Sequence, residues 1–400
     1  MRHIFWNEIM ISLQVLDDPE THRKLGEHNV LDILCKFLEC NRGYPFTFEL
    51  LLRGSGTGSP YLAAILDRLI AESQRWRKAT MVLRSSEISE LYRVKNRLQQ
   101  LESLVLHISG CETSDNSVPK SFADLFDDTP LLTRMTINPI STWEFDWSNM
   151  KLLEFIAPNH GIDLIRLPIV LSRAMRLEQL IIVGDVAPPC DAPIMLSSLR
   201  SLMIDGVGLL SVIATPGLEE LSLNIFVETS ETAEIVQSFF YRSQCQIKNL
   251  KLQNSNALLA MCVFMNAPEI THLYLKTISH VVEIWKWLVD MHREGTPQLT
   301  CLQSLTICSR MQPELDYLFE LIALRNRRIE DGGSIIIQKL HQVAVHRHQQ
   351  NDDLDRELQR IMTQCKENDV EYLDIVKEET RIWQAHDRSQ DPYDFLLYLD

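Results

Sequence analysis

One stretch of the chain has the layout of a phosphate site. "ELLLRGSGTGSPYLAAILDRLI" (49–70) passes from an apolar run through Gly54, Gly56 and Gly58 into a helix-like stretch. Nucleotide-binding folds use that order, strand then glycine loop then helix, to present backbone N–H groups to a phosphate. The spacing here is G-x-G-x-G. It lacks the third-glycine spacing of a dinucleotide fingerprint and the Lys-Ser/Thr of a P-loop. Ser59 and Pro60 suit the N-cap and first turn of the following helix. The loop is therefore expected to join a strand to its helix. The alternative reading is a nucleotide-binding α/β enzyme built on Gly54–Gly58.

Other reactive side chains form no convincing constellation. His346 and His348 make an isolated H-x-H, and the pairs Asp127–Asp128 and Asp352–Asp353 lie in polar text typical of solvated helix starts. The nine cysteines are scattered without a C-x-x-C pair, and no N-x-S/T sequon occurs. This pattern implies reduced thiols in a reducing compartment. There is no G-x-S-x-G. The expectation is a non-enzyme with no catalytic residue, cofactor or metal. A net charge of −15 argues against a general nucleic-acid binder. No run approaches the ~20 apolar residues of a membrane helix, so no membrane partner is expected, and the protein is placed in the cytoplasm or nucleus.

The elements that must position any functional surface emerge from an internal repeat. Eleven times the chain returns to a phrase of the form apolar, polar, polar, apolar, any, apolar. The instances are LESLVL (101), LTRMTI (132), LLEFIA (152), LEQLII (177), LRSLMI (199), LEELSL (218), IKNLKL (247), ITHLYL (270), LQSLTI (302), LHQVAV (340) and VEYLDI (370), with Leu153 breaking the polar pair. Successive phrases start 19 to 38 residues apart, about 27 on average, close to a leucine-rich-repeat period. Helix-like text fills several gaps, including "TAEIVQSFFYRS", "ALLAMCVFMNA", "HVVEIWKWLVDMH" and "PELDYLFELIALRN". Gaps before 152, 199 and 218 are shorter and suit loops or single helical turns. In "HVVEIWKWLVDMH", at least one of Trp285 and Trp287 is expected to pack on the core.

Strand, crossover, strand implies parallel pairing. The fold expected is an α/β, leucine-rich-repeat-like solenoid, with parallel strands on the concave face and helices on the convex face. The competing fold is a doubly wound sheet, in which strand order reverses. The repeats are irregular, and the Asn or Cys ladder of regular repeats is not apparent. Alternation along a strand turns the third and fifth residues of each phrase away from the core. Candidate partner-binding residues on that face are Arg134, Glu220, Asn249, Lys251, His272 and Tyr274, with Lys276 just beyond. Lys251, His272, Tyr274 and Lys276 form the richest group, a basic island suited to an acidic protein segment.

Two further stretches carry a resemblance. "LDILCKFLECNRGYPFTFELLL" (31–52) resembles the segment after the F-box in fungal F-box and leucine-rich-repeat proteins, and "AESQRWRKATMVL" (71–83) resembles the same group's Arg-Trp strand. "IFWNEIMISL" (4–13) looks like the Trp-containing text that follows an F-box. The resemblance covers about residues 28–380. It implies a helical post-F-box-like segment over 1–45 and an irregular leucine-rich-repeat solenoid over 46–380. The acidic text of 381–400 is read separately, from its own residues, as a tail whose apolar "FLLYL" is expected to cap the last strand. It further implies a protein–protein interaction module like the substrate-recognition part of a ubiquitin-ligase receptor. The quoted text contains no F-box, so tight docking onto the cullin–RING adaptor is not expected.

Overall fold

The computed structural model describes residues 8–14, 27–53, 62–84, 87–109, 125–126, 128–138, 146–156, 167–185, 192–225, 231–308, 316–326, 338–347 and 352–376. The chain divides into two compact units, Met1–Val183 and Gly184–Asp400. Both are mixed α/β, built on parallel strands. The Gly54–Gly58 loop, Asp127, His348 and the 381–400 tail lie outside the described residues.

The first unit carries β1 (Glu8–Gln14), β2 (Phe46–Arg53), β3 (Trp76–Arg84), β4 (Ser103–Ser109), β5 (Arg134–Asn138), β6 (Leu152–Ile156) and β7 (Gln179–Asp185). Each strand pairs in parallel with the next in sequence. Parallel neighbours need a crossover. Helices α1 (Glu27–Cys40), α2 (Leu62–Ala71) and α3 (Leu167–Arg173) supply three of them, and 3-10 turns at Ile88–Val94 and Trp147–Asn149 serve two shorter ones.

Strand β1 departs from the helical segment expected over 1–45. The cause is legible in "EIMISLQ", where the aliphatic Ile9, Ile11 and Leu13 stand at alternate positions. Ile11 is buried and Met10, one residue earlier, is exposed. The alternation has the period of a half-buried strand. Among the described residues, sheet pairing therefore starts at Glu8, ahead of Phe46.

Arg75 and Trp76, on which part of the resemblance rests, have packing roles. The buried Trp76 indole donates from Nε1 to the Leu69 carbonyl at 3.0 Å and meets Phe48 edge-on at 4.9 Å. Arg75 lies over Phe46 at 5.3 Å, donates to the Tyr44 carbonyl at 2.9 Å and pairs with Glu72 at 2.8 Å.

The second unit carries β8 (Ile194–Met195), β9 (Ser201–Asp205), β10 (Ile213–Ala214), β11 (Glu220–Asn224), β12 (Asn249–Gln253), β13 (His272–Lys276), β14 (Ser304–Cys308), β15 (Gln342–Arg347) and β16 (Glu371–Val376). Strands β8 and β10 pair only with each other. The rest run in sequence order, each parallel to the next. Crossovers are α4 (Thr232–Ser243), α5 (Ala257–Asn266), α6 (Val281–Arg293), α7 (Asp316–Asn326) and α8 (Asp352–Glu367), at the positions the helix-like text marks. Asn256 caps α5 by accepting from the Leu259 N–H at 2.9 Å. On α6, Ile284, Trp285, Leu288 and Val289 form the buried face, while Trp287 is half-buried.

Apolar positions of the phrase make the core in both units. Leu101, Leu104 and Leu106 are buried, as are Leu218, Leu221 and Leu223, and Ile247, Leu250 and Leu252. One phrase is framed differently from its sequence text. At 152 the register sets Leu153 opposite Met135, so the true first position is the buried Met150, and Leu152 and Glu154 take the outward places. At 370 the pairing slips by one, with Tyr372 opposite Val343, while Val370 remains the buried first position after the exposed Asp369. The shift at 152 arises because adjacent apolar residues leave the frame of a loose phrase ambiguous, and strand pairing resolves it.

A candidate partner-binding face

The outward positions of the second unit fall into rows across the strands. One row holds Glu220, Asn249, His272 and Ser304, the next Ser222, Lys251, Tyr274 and Thr306, and the third Asn224, Gln253, Lys276 and Cys308. Members of a row are about 4.8 Å apart and rows about 6.6 Å apart, from strand spacing and rise. Lys251, His272, Tyr274 and Lys276 thus occupy one patch, as the spacing predicts. Arg134 is exposed on β5, in the first unit, between Ser103 and Leu152.

Charge on this face is unevenly neutralised. Asn249 donates from Nδ2 to Glu220 Oε1 at 2.9 Å, so those two candidates occupy each other. Lys248, at the strand entrance, lies 3.0 Å from Glu219, and Arg200 lies 3.7 Å from the same carboxylate. Lys251 is exposed and Lys276 half-buried, and neither makes an ion pair among the described residues. His272 is exposed and shares a 2.9 Å hydrogen bond through Nδ1 with the Thr271 hydroxyl. The patch therefore keeps net positive charge within an acidic chain.

Tyr274 is half-buried at the centre of the patch. Burial first, and then the Cys308 thiol beside it, push its phenol well above the usual range. The hydroxyl stays protonated across physiological pH and presents an amphipathic ring.

Sequence reasoning missed the polar line at the far ends of these strands. Asn224 Nδ2 donates to Asp205 Oδ1 at 2.9 Å, Asn254 Nδ2 donates to Asn224 Oδ1 at 2.7 Å, and the Gly184 N–H donates to Asp205 Oδ2 at 3.0 Å. This is a ladder of the kind the text lacked, shifted and made of mixed residue types. Part of its signal was present: the residue after the phrase is Asp205 and then Asn224 in two consecutive repeats, while in the next the ladder steps one place on to Asn254. The backbone then turns through left-handed conformations at Gly206 (φ 76°), Asn254 (φ 49°) and Thr277 (φ 52°). Their N–H groups donate to the carbonyls of Asn224, Lys276 and Cys308 on the neighbouring strand.

The first unit shows a different outward face. Glu154 and His107 are both buried there. The Thr136 hydroxyl donates to Glu154 Oε2 at 2.9 Å. Burial raises the Glu154 carboxyl, against the opposing effect of that hydrogen bond. Burial alone lowers the His107 imidazole to about 4, and its Nε2 is buried without a hydrogen-bond partner.

Among the described residues there is no cluster of three or more metal-ligating side chains, and no helix is long and apolar enough to cross a membrane. Comparison of the chain with models of known protein families and with curated proteins finds no match.

Proposed function

We propose that this protein is a non-enzymatic recognition module that binds an acidic segment of a protein partner on the sheet face around Lys251, His272, Tyr274 and Lys276. We take the repeats as an irregular leucine-rich-repeat-like solenoid, since each repeat adds a strand beside the last and leaves its outward side chains in a continuous array. The carrying observation is the register. It sets Lys251 directly opposite Tyr274 and puts Lys276 and His272 within one step, with no carboxylate paired to either lysine among the described residues.

An acidic segment crossing this patch gains Coulomb attraction from the lysines and apolar contact from a rigid ring, the chemistry typical of interface anchors. The reading also fits the resemblance to the substrate-recognition part of F-box and leucine-rich-repeat receptors. The test is capture from native lysate at rising salt, using the parent chain and a variant carrying Lys251→Glu and Tyr274→Ala. Partners held by this face are released by salt and lost in the variant. An unchanged set of partners on a variant with a normal melt would refute the assignment.

A further inference from the structure

Two polar side chains on this face are buried without a partner. Gln253 is 3% exposed and its Nε2 makes no hydrogen bond; Ser222 is 8% exposed and its Oγ likewise makes none. Buried amide and hydroxyl groups are nearly always satisfied, because leaving them unpaired forfeits their hydration. These two are not at random places. Ser222 is the register partner of Lys251, and Gln253 is two residues beyond Lys251 on the same strand face and the register partner of Lys276. Two cations without ion-pair partners among the described residues therefore stand beside two neutral donors without acceptors.

We propose that Gln253 and Ser222, with Lys251 and Lys276, form a seat for one carboxylate, supplied by a Glu or Asp side chain of an extended partner peptide. This rests on the reading of the face as a partner-binding surface and adds what selects the ligand. The lysines attract any anion; the buried donors recognise one with acceptor oxygens that reach below the lysine ammonium groups. A carboxylate supplies two such oxygens on a flat group narrow enough for a nearly closed surface. A phosphate is bulkier and tetrahedral, and its second charge is opposed by the acidity of the whole chain. Asn224 does not compete for the ligand, since Asp205 and Asn254 already occupy its amide.

The test uses the full-length chain and three short fluorescent peptides identical except at the centre, where they carry Glu, Gln or phosphoserine. The Glu peptide is expected to bind about tenfold or more tightly than the Gln peptide, and more tightly than the phosphoserine peptide. Gln253→Leu should lower Glu-peptide affinity about tenfold while leaving the melt unchanged or raised, because it removes an unsatisfied buried donor. Equal binding of the Glu and Gln peptides, tighter binding of the phosphoserine peptide, or parent-like Glu-peptide affinity in Gln253→Leu would each overturn the seat. If Gln253→Leu has no effect but Lys251→Glu abolishes binding, the partner-binding face survives and only the seat falls. If neither variant alters binding, both fall.

Discussion

Lys251 and Tyr274 are register partners on neighbouring parallel strands, one exposed and the other half-buried. A cation beside an aromatic ring can contribute to one contact made by both, so their effects on an acidic peptide should not be independent. Lys251→Gln and Tyr274→Ala are each expected to weaken binding. The double variant should lose less than the sum, by about 0.5–1 kcal/mol. Peptide titrations on the four proteins measure the coupling, and strict additivity would separate the two residues.

Leu221 and Leu250 face each other across β11 and β12 in the core. Truncating either to Ala should cost ~2–5 kcal/mol, from lost burial and the cavity left behind. Because they touch the same packed layer, the double substitution is expected to be non-additive. Urea melts of the three variants check this, and melts that overlay the parent would mean the register is wrong.

Stability should depend on pH through His107. Its imidazole is lowered to about 4 by burial, so between that value and the unfolded value near 6.5 the unfolded chain binds more protons than the folded one. Folding stability from this residue is therefore complete above pH ~6.5 and falls as pH drops towards 4, by up to about 3 kcal/mol. Glu154 acts in the opposite sense. Its raised carboxyl keeps a proton in the folded chain after the unfolded chain has released it, so its contribution declines as pH rises. His107→Leu should flatten the loss between pH 7 and 5. Urea unfolding at both pH values measures this, and an unaltered difference would show that His107 does not govern it.

Arg325 is 5% exposed and donates to the carbonyls of Leu299 (2.9 Å), Leu302 (3.1 Å) and Gln338 (3.1 Å). It ties the left-handed turn at Leu299 to the approach of β15. Burial lowers its guanidinium to about 10, still protonated at neutral pH. Arg325→Met should destabilise by about 3 kcal/mol, since several buried carbonyls lose a charged donor at once. Arg325→Lys should rescue little, because one ammonium cannot replace the guanidinium fork. Full rescue by Lys would show that charge alone matters.

Much of the strand-and-helix order was legible because three apolar positions per repeat must be buried, and burial leaves a periodic trace. The helix over Thr232–Ser243 matches its text residue for residue. The frame failed at Leu152–Leu153, where two adjacent apolar residues satisfy either register and only pairing with Met135 decides. The candidate site was half legible. Lys251 and Tyr274 announce themselves by type and position, whereas Gln253 looks like any solvated strand residue until its burial is known. The ladder through Asp205, Asn224 and Asn254 escaped for a related reason: hydrogen-bond geometry joins different residue types, so no single letter recurs.

Sequential pairing has a kinetic consequence. Within each unit, the described strands other than β8 and β10 each meet the next such strand along the chain, so no pairing among them needs a distant part of the chain to arrive first. Each closure spans only a crossover, and the entropy lost in closing it grows slowly with its length. Sheets whose order reverses must instead hold early strands open until late ones are made. Low contact order of this kind speeds folding and lets it spread from any well-formed pair of neighbours. Amide exchange should accordingly open in contiguous blocks of a few repeats, and damage at Leu250 should loosen β11 to β13 before it reaches β15.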